Sequence, residues 1–342
     1  MTNLENIDWA HLPFGYMKTD YNVRCTFKDG KWGEIEVTQD ETINLHMAAS
    51  CLHYGQEIFE GLKAFRGQDG KIRLFRPDEN AKRLQNSARG ILMEPLPEDI
   101  FMEMCKKVVK LNERFIPPYG SGSSLYLRPV EIGISPRVGV SPAEEYTVII
   151  FVTPVGPYFK EGFHCTKVAV FREYDRAAPC GTGRWKVGGN YAAGMGATAR
   201  AKAAGYSAAL FLDPKEKKYL DECGPANFFI VKGNTYITPK SESILPSITN
   251  MSLQQIARDL GMEVEARPVP LEELAEADEA AECGTAAVTA PISEVVDMDK
   301  DVHYIISKNG EVGPKVTALY NRLRAIQQGD YPDEHGWVVF VD

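Results

Sequence analysis

The stretch GRWKVGGNYAAG, residues 183–194, sets one lysine between a tryptophan and a glycine pair, directly ahead of an alanine-rich run that reads as a helix. Three roles are open to Lys186: surface charge, phosphate-binding group, or nucleophile. Most lysines are solvated surface charges. Here Trp185 and Val187 flank the amine with apolar bulk, and Gly188 and Gly189, lacking Cβ atoms, let a ligand or another backbone come close. A lysine in such surroundings is expected to have a depressed pKa, which attack on a carbonyl requires. The phosphate-loop role fails on spacing, because that loop reads G-x-x-x-x-G-K-[ST] whereas Trp185 precedes and Val187 follows the lysine. No G-x-G-x-x-G follows a strand pattern either, which sets aside a dinucleotide site.

Working outward, 342 residues predict two domains of roughly 150 residues each. The segment from Gly156 to Gly183 holds proline, glycine and scattered charges, including RAAPCGTG, and reads as the connection. The expected division is therefore a smaller domain at 1–155, a connection at 156–183 and a larger domain at 184–342. A net charge of −9 repels nucleic-acid backbone and anionic membrane. The opening MTNLENIDWAHLPFG lacks the basic segment and apolar run of a signal peptide, and no run of about 18 apolar residues occurs, so a cytoplasmic location and no membrane association are expected. The seven cysteines and six histidines are scattered, with no C-x-x-C pair and no H-x-x-x-H, so neither a disulfide framework nor a metal site is expected.

The coarse pattern alternates strands and helices. NVRCTFKDGKWGEIEV and FRGQDGKIRLF each carry an Asp-Gly turn between strand-like runs. From Pro97, the residues Ile100, Phe101, Met104, Val108, Leu111 and Phe115 recur at helical steps. SLYLRPVEIG and EYTVIIFVTPVG read as strands, the second apolar enough to be central. Beyond the connection come a helix ended by Gly205, the strand SAALFLD, and strands joined by tight turns in KYLDECGPANFFIVKGNTYITP. LPSITNMSLQQIARDLG offers Ser247, Thr249 or Asn250 as N-cap and closes on Gly261. The strand MEVEARPV, an acidic helix and a final helix, GPKVTALYNRLRAIQQG, complete the chain.

In YLDECGPANFFIV, Asp221 and Glu222 end a strand just before a Cys-Gly-Pro turn. Such acids are usually solvent-facing; the alternative is that one points into a site and keeps a heterocyclic nitrogen protonated. Taken together, K-V-G-G-N-Y and, some 30 residues on, E-C-G-P-A-N-F-F resemble the branched-chain amino-acid aminotransferases, fold type IV of the pyridoxal-phosphate enzymes. The resemblance extends to LPFGYMKTDY, LHYGQEIFEGLKAFRG (52–67), LYLRP (125–129), ILPSITNMSL (244–253) and CGTAAVTAPI (283–292).

That resemblance implies an α/β (α+β) fold with a smaller N-terminal α/β domain and a larger C-terminal domain with a barrel-like sheet, and pyridoxal 5'-phosphate as cofactor. Lys186 matches the lysine that forms the Schiff base and shuttles the substrate proton, Tyr191 the partner of the cofactor's phenolic oxygen, and Glu222 the carboxylate on the pyridine nitrogen. Arg83 in ENAKRLQNSARG, the amides of Ile248 and Thr249 at a helix start, and the Thr285 hydroxyl match the phosphate-binding groups. Thr285 and Ala286 match the α-carboxylate positions, with Tyr126 nearby. Phe14, Tyr54 and Phe59 match the aromatic side-chain pocket, Tyr54 supplied by the partner of a homodimer, and Arg128 matches the receiver of glutamate's second carboxylate. The implied substrates are small amino acids and 2-keto acids. The mammalian members carry a C-x-x-C pair just after G-T-A where this chain has Ala287 and Ala290, so thiol switching of that kind is not expected, and Cys223 has no assigned role. Alternatives of the same fold type, a D-amino-acid aminotransferase or an aminodeoxychorismate lyase, are generally shorter and lack the combined HYGQEIFEGLKAFRG and LYLRP segments. An alternative of another class is a non-catalytic scaffold protein.

Overall fold

The computed structural model describes residue 4 and residues 7–159 and 162–341. They divide into two compact units, one within Met1–Lys160, Trp185–Gly188 and Ala325–Asp342, the other within Glu161–Arg184 and Gly189–Arg324.

The first unit is built on an antiparallel sheet of nine described strands: β1 (Asn22–Lys28), β2 (Lys31–Trp32), β3 (Glu36–Thr38), β4 (Glu57–Phe59), β5 (Leu62–Arg66), β6 (Ile72–Phe75), β7 (Ser124–Gly133), β8 (Tyr146–Val155) and, from the far end of the chain, β18 (Val338–Val341). Both Asp-Gly turns form hairpins. Asp29 and Gly30 have φ of 51° and 78°, the left-handed pair that a two-residue turn requires. In β7, Leu125 and Leu127 alternate with Tyr126 and Arg128, and the leucines pack into the core with α2 (Pro77–Gly90) and α3 (Glu98–Leu111), which follow the short α1 (Ser50–Tyr54). On α3, Phe101, Met104 and Val108 are fully buried, Ile100 and Leu111 pack against the core, and Phe115 lies in the 3-10 turn that follows.

The second unit has a mixed sheet of nine described strands: β9 (Thr166–Val170), β10 (Ala208–Leu212), β11 (Leu220–Cys223), β12 (Asn227–Lys232), β13 (Thr235–Pro239), β14 (Glu263–Arg267), β15 (Glu279–Gly284), β16 (Val288–Asp297) and β17 (Val302–Ile305). Its order runs β11-β10-β9-β16-β15-β12-β13-β14, with β17 paired to β16. The helices are α4 (Gly188–Ala203), α5 (Ile248–Asp259) and α6 (Pro314–Gln328). The expected α/β (α+β) class holds.

Three features differ from the sequence expectation. The stretch expected to be a connection contains β9, whose Val168, Ala169 and Val170 are fully buried and which runs parallel to both β10 and β16. The chain end expected in the larger domain returns to the first sheet, because β18 pairs with β6 from Val338↔Phe75 to Val341↔Ile72. The acidic helix is a six-residue 3-10 helix, Leu271–Glu276, in which the buried Leu271 and Leu274 stand three residues apart, the period of that helix.

One buried group of the first unit carries no partner. Glu131, on β7 opposite Ile58 and Val148, is fully buried, and neither carboxylate oxygen has a hydrogen-bond partner among the described residues. Burial, reinforced by the charge of Glu94, pushes its carboxyl well above the ordinary 4.5. Between the unfolded and the folded pKa the native chain holds one proton more than the unfolded chain, so this group makes stability fall as pH rises, by about 1.4 kcal/mol per pH unit. Glu131→Gln is expected to remove that slope as pH rises above about 5 in urea-denaturation curves; parallel curves for the two proteins would show that Glu131 does not hold the proton.

Candidate active site

In the first unit Lys186 is held by its backbone. Phe59 N–H donates to the Lys186 carbonyl at 3.1 Å, Ile58 and Val187 form an antiparallel bridge, and Lys186 N–H donates to Ser87 Oγ at 3.0 Å. The half-buried side chain lies over a ring, with Nζ 4.7 Å from the Phe59 centroid, inside cation–π range. Close approaches demand glycine on either side. A Cβ on Gly90 would meet the Trp185 ring, and one on Gly188 would meet the carboxylate of Glu57, which instead accepts the Gly188 N–H. Gly189 differs, because nothing lies within 4 Å of where its Cβ would stand. Of the two glycines, then, Gly188 makes room for the protein's own Glu57 and Gly189 faces open space.

Arg128 and Tyr126 share a face of β7, as a spacing of two dictates. Arg128 Nη2 donates to Tyr126 Oη at 3.2 Å, and its guanidinium carbon lies 4.9 Å from the Phe59 ring and 5.3 Å from the Tyr126 ring. Arg128 Nε is buried with no hydrogen-bond partner among the described residues. Phe14, 58% exposed, sets its ring edge against Tyr126 at 5.2 Å. Arg83 Nε and Nη2 each donate at 2.8 Å to the two oxygens of Glu60, which is fully buried and also takes Asn80 Nδ2 at 2.7 Å. This fork-to-fork pair engages two of the five guanidinium N–H groups. Tyr54 ends α1 at the surface and donates its hydroxyl to the Val138 carbonyl.

In the second unit both acids of β11 are buried, on opposite faces of the strand. Asp221 accepts from Ser241 Oγ at 2.9 Å and Ser243 Oγ at 2.6 Å. Glu222 accepts from Asn227 Nδ2 at 2.7 Å and from Leu245 N–H at 3.3 Å, and Arg176 Nε lies 2.8 Å away as a charge pair without an aligned hydrogen bond. Burial pushes the Glu222 carboxyl up, while Arg176 and the two donors oppose that shift. Ser247 is the cap of α5, its Oγ accepting Asn250 N–H at 3.2 Å, so Thr249 and Asn250 lie inside the helix. Ile248 and Thr249 occupy its first positions, whose N–H groups have no intrahelical acceptor and favour an anion. Thr285 and Ala286 stand in the three-residue link between Gly284 and Val288, which pair directly. Val288 has φ +69°, a strained conformation for a β-branched residue, which costs about 1–2 kcal/mol. Tyr191, in the first turn of α4, lines a cavity of about 370 Å³ with Arg176, Asn190, Thr198 and Gly224.

Four residues escaped the sequence reading. Glu60 and Asn227 lie within quoted motifs, EIFEG and GPAN, but acids and amides in a motif carry no mark of burial. Arg176 opens RAAPCGTG, where it passed for a linker charge, and Glu57 passed for strand polarity.

The family model of amino-transferase class IV matches residues 57–295. The chain is 46% identical to a branched-chain-amino-acid aminotransferase of Haemophilus influenzae, covering 99% of this chain and 100% of that one, and 44% identical to the Helicobacter pylori protein of the same name, covering all of both. Among solved structures, a branched-chain amino acid aminotransferase of Thermobaculum terrenum in its PLP-bound holo form superposes with a TM-score of 0.76 at 25% identity, covering 95% of this chain and 99% of that one.

The two glycines give opposite expectations. Gly188→Ala drives a Cβ into Glu57 and is expected to lower stability by about 1–3 kcal/mol. Gly189→Ala lies in a helix and open space, so thermal unfolding of the cofactor-free protein should stay level or gain about 0.5–1 kcal/mol, while its titration with pyridoxal phosphate should show weakened binding. Unchanged binding would show that the space beside Gly189 is not the cofactor's.

Proposed function

The chain belongs to the branched-chain-amino-acid aminotransferases of amino-transferase class IV, and on that premise we propose that it moves the amino group of L-leucine, L-isoleucine or L-valine to 2-oxoglutarate, giving branched 2-keto acids and L-glutamate. Its cofactor is pyridoxal 5'-phosphate. The observation that carries the reading is Lys186 Nζ over Phe59, with Arg128 against the same ring and an unpartnered Arg128 Nε.

The residues suit the cofactor by their chemistry. A buried acceptor, Glu222, matches a protonated ring nitrogen, whereas the Arg83 guanidinium, the Ile248 and Thr249 amides and the Thr285 hydroxyl are all donors, as a phosphate requires. When bound, pyridoxal phosphate supplies the electron-accepting ring that lets bonds at the substrate α-carbon break, and carries the amino group between the two half-reactions.

Lys186 is the covalent attachment point, and its Nζ removes and returns the proton of the substrate α-carbon. Pinning the backbone while leaving the side chain over a ring lets the amine swing without losing its origin. Tyr191 donates its hydroxyl to the cofactor's phenolic oxygen. Thr285 and Ala286 hold the substrate α-carboxylate, and Tyr126 is assigned to the same substrate. Phe14, Phe59 and Tyr54 form the apolar pocket, Tyr54 reaching from its α1 helix into the site of the partner in a homodimer. Arg128 receives the side-chain carboxylate of glutamate: a buried Nε without a partner is a donor waiting for an acceptor, and the Phe59 and Tyr126 rings hold the guanidinium when an aliphatic side chain is bound.

We place the enzyme in the cytoplasm. No described helix is long and apolar enough to cross a membrane, and the charge of −9 opposes nucleic acid.

The purified protein is expected to turn over L-leucine with 2-oxoglutarate and to leave D-alanine and aminodeoxychorismate unchanged; the reverse preference would assign it to another member of the fold type. Lys186→Ala should lower turnover by on the order of 10³-fold and abolish labelling by borohydride. Arg128→Met should lower kcat/KM for glutamate by about 10–100-fold while sparing leucine. Unchanged turnover with glutamate would remove Arg128 from that role.

A further inference from the structure

Asn250 stands on α5 directly after Ile248 and Thr249, the residues whose amides are proposed for the phosphate, yet its side chain is spent on partners within the protein. Its Nδ2 donates to Asn227 Oδ1 at 3.1 Å and to Thr238 Oγ1 at 2.8 Å, and its Oδ1 accepts from Tyr236 Oη at 2.9 Å and Gln254 Nε2 at 3.2 Å. Asn227 Nδ2 in turn donates to Glu222 Oε2 at 2.7 Å and to the Leu245 carbonyl at 3.1 Å. Asn227 and Asn250 are each 5% exposed and Tyr236 is fully buried.

The direction of this chain is forced. A carboxylate and a carbonyl only accept, so Asn227 must turn its amide nitrogen toward Glu222 and Leu245, which leaves its oxygen to accept from Asn250. Thr238 gives its own hydroxyl proton to the Phe228 carbonyl at 2.9 Å, so it too accepts from Asn250. The remaining oxygen of Asn250 then takes the Tyr236 proton. Three donors in a row end on the Glu222 carboxylate, an arrangement that polarises each bond and favours the ionised acid.

We propose that Asn250 is a positioning residue for Glu222, acting through Asn227: it ties the carboxylate to the start of the phosphate-binding helix, so that the ring-nitrogen and phosphate contacts keep one separation, and it biases the acid toward its ionised form. This rests on Glu222 being the partner of the ring nitrogen. The titratable and charged groups facing Glu222 are Arg176, which favours ionisation, Asp221, which opposes it, and the thiols of Cys223 and Cys283, both pushed up by burial and therefore neutral. Burial likewise pushes the Tyr236 hydroxyl up, so it keeps the proton it donates. Burial pushes the Glu222 carboxyl up, and the donor chain acts with Arg176 against that shift.

The experiment follows the visible absorption of the bound cofactor against pH in holoenzyme of the wild type, Glu222→Gln, Asn227→Leu, Asn250→Leu, the Asn227→Leu/Asn250→Leu double variant and Tyr236→Phe, with cofactor Kd measured alongside. E222Q sets the direction of the shift in spectroscopic pKa. N227L and N250L are expected to move it the same way by about one unit, with Kd raised roughly tenfold, and the double variant to move it no further than N227L, because both act on one path. Y236F, which keeps the ring and removes only the donor, should give a smaller shift in the same direction, and decides the matter if N250L does not fold. An unmoved titration in E222Q overturns the ring-nitrogen reading and this role with it. A moved E222Q with unmoved N250L and Y236F, even at a lowered Tm, overturns the role of Asn250 alone, as does a double variant whose shift is the sum of the two.

Discussion

Both polar groups of the Lys186 backbone are bonded, the carbonyl to Phe59 N–H on β4 and the N–H to Ser87 Oγ on α2. The rest of the first unit's site follows from this anchor. It brings Nζ over the Phe59 ring, and the antiparallel bridge at Ile58 and Val187 extends the sheet by one more crossing of chain. It is possible only where the neighbouring positions lack side chains, because Trp185 occupies the space over Gly90 and Glu57 the space over Gly188. These backbone hydrogen bonds fix where the Lys186 side chain starts.

Buried carboxylates are treated in two ways. Glu60 and Glu222 are each given an arginine and an amide: Arg83 with Asn80, Arg176 with Asn227. A buried charge is costly unless paired and hydrogen-bonded, and these pairings offset part of that cost. Glu131 receives neither, and burial pushes it toward the protonated form within the core. Identical chemistry in the sequence therefore meets very different partners in the fold.

Much of the architecture was legible locally. The Asp-Gly hairpins, the apolar face of α3, the strands β7 and β8, and the α5 helix from Ser247 to Gly261 each follow from periods and caps that neighbouring residues carry themselves. What was illegible depends on distant partners. Nothing in VVFV announces that it pairs with IRLF some 270 residues earlier, and TKVAV is too short to stand out from a stretch of prolines and glycines until β10 and β16 flank it. The candidate residues were named by motif, but Arg176, Glu57, Glu60 and Asn227 were missed because burial and pairing are not properties of a residue type.

The sequence by itself determined the candidate groups: a lysine just ahead of two glycines, an acid before a Cys-Gly-Pro turn, an arginine two residues after a tyrosine on one strand. These are covalent facts, and strand and helix periods convert them directly into faces. Only the tertiary structure decided which acids gain partners, which glycine faces open space, and how Glu222 is held, because each depends on atoms brought together across long stretches of chain. Hydrogen-bond direction and the cost of burying charge act through those distances, and neither exists until the chain has folded.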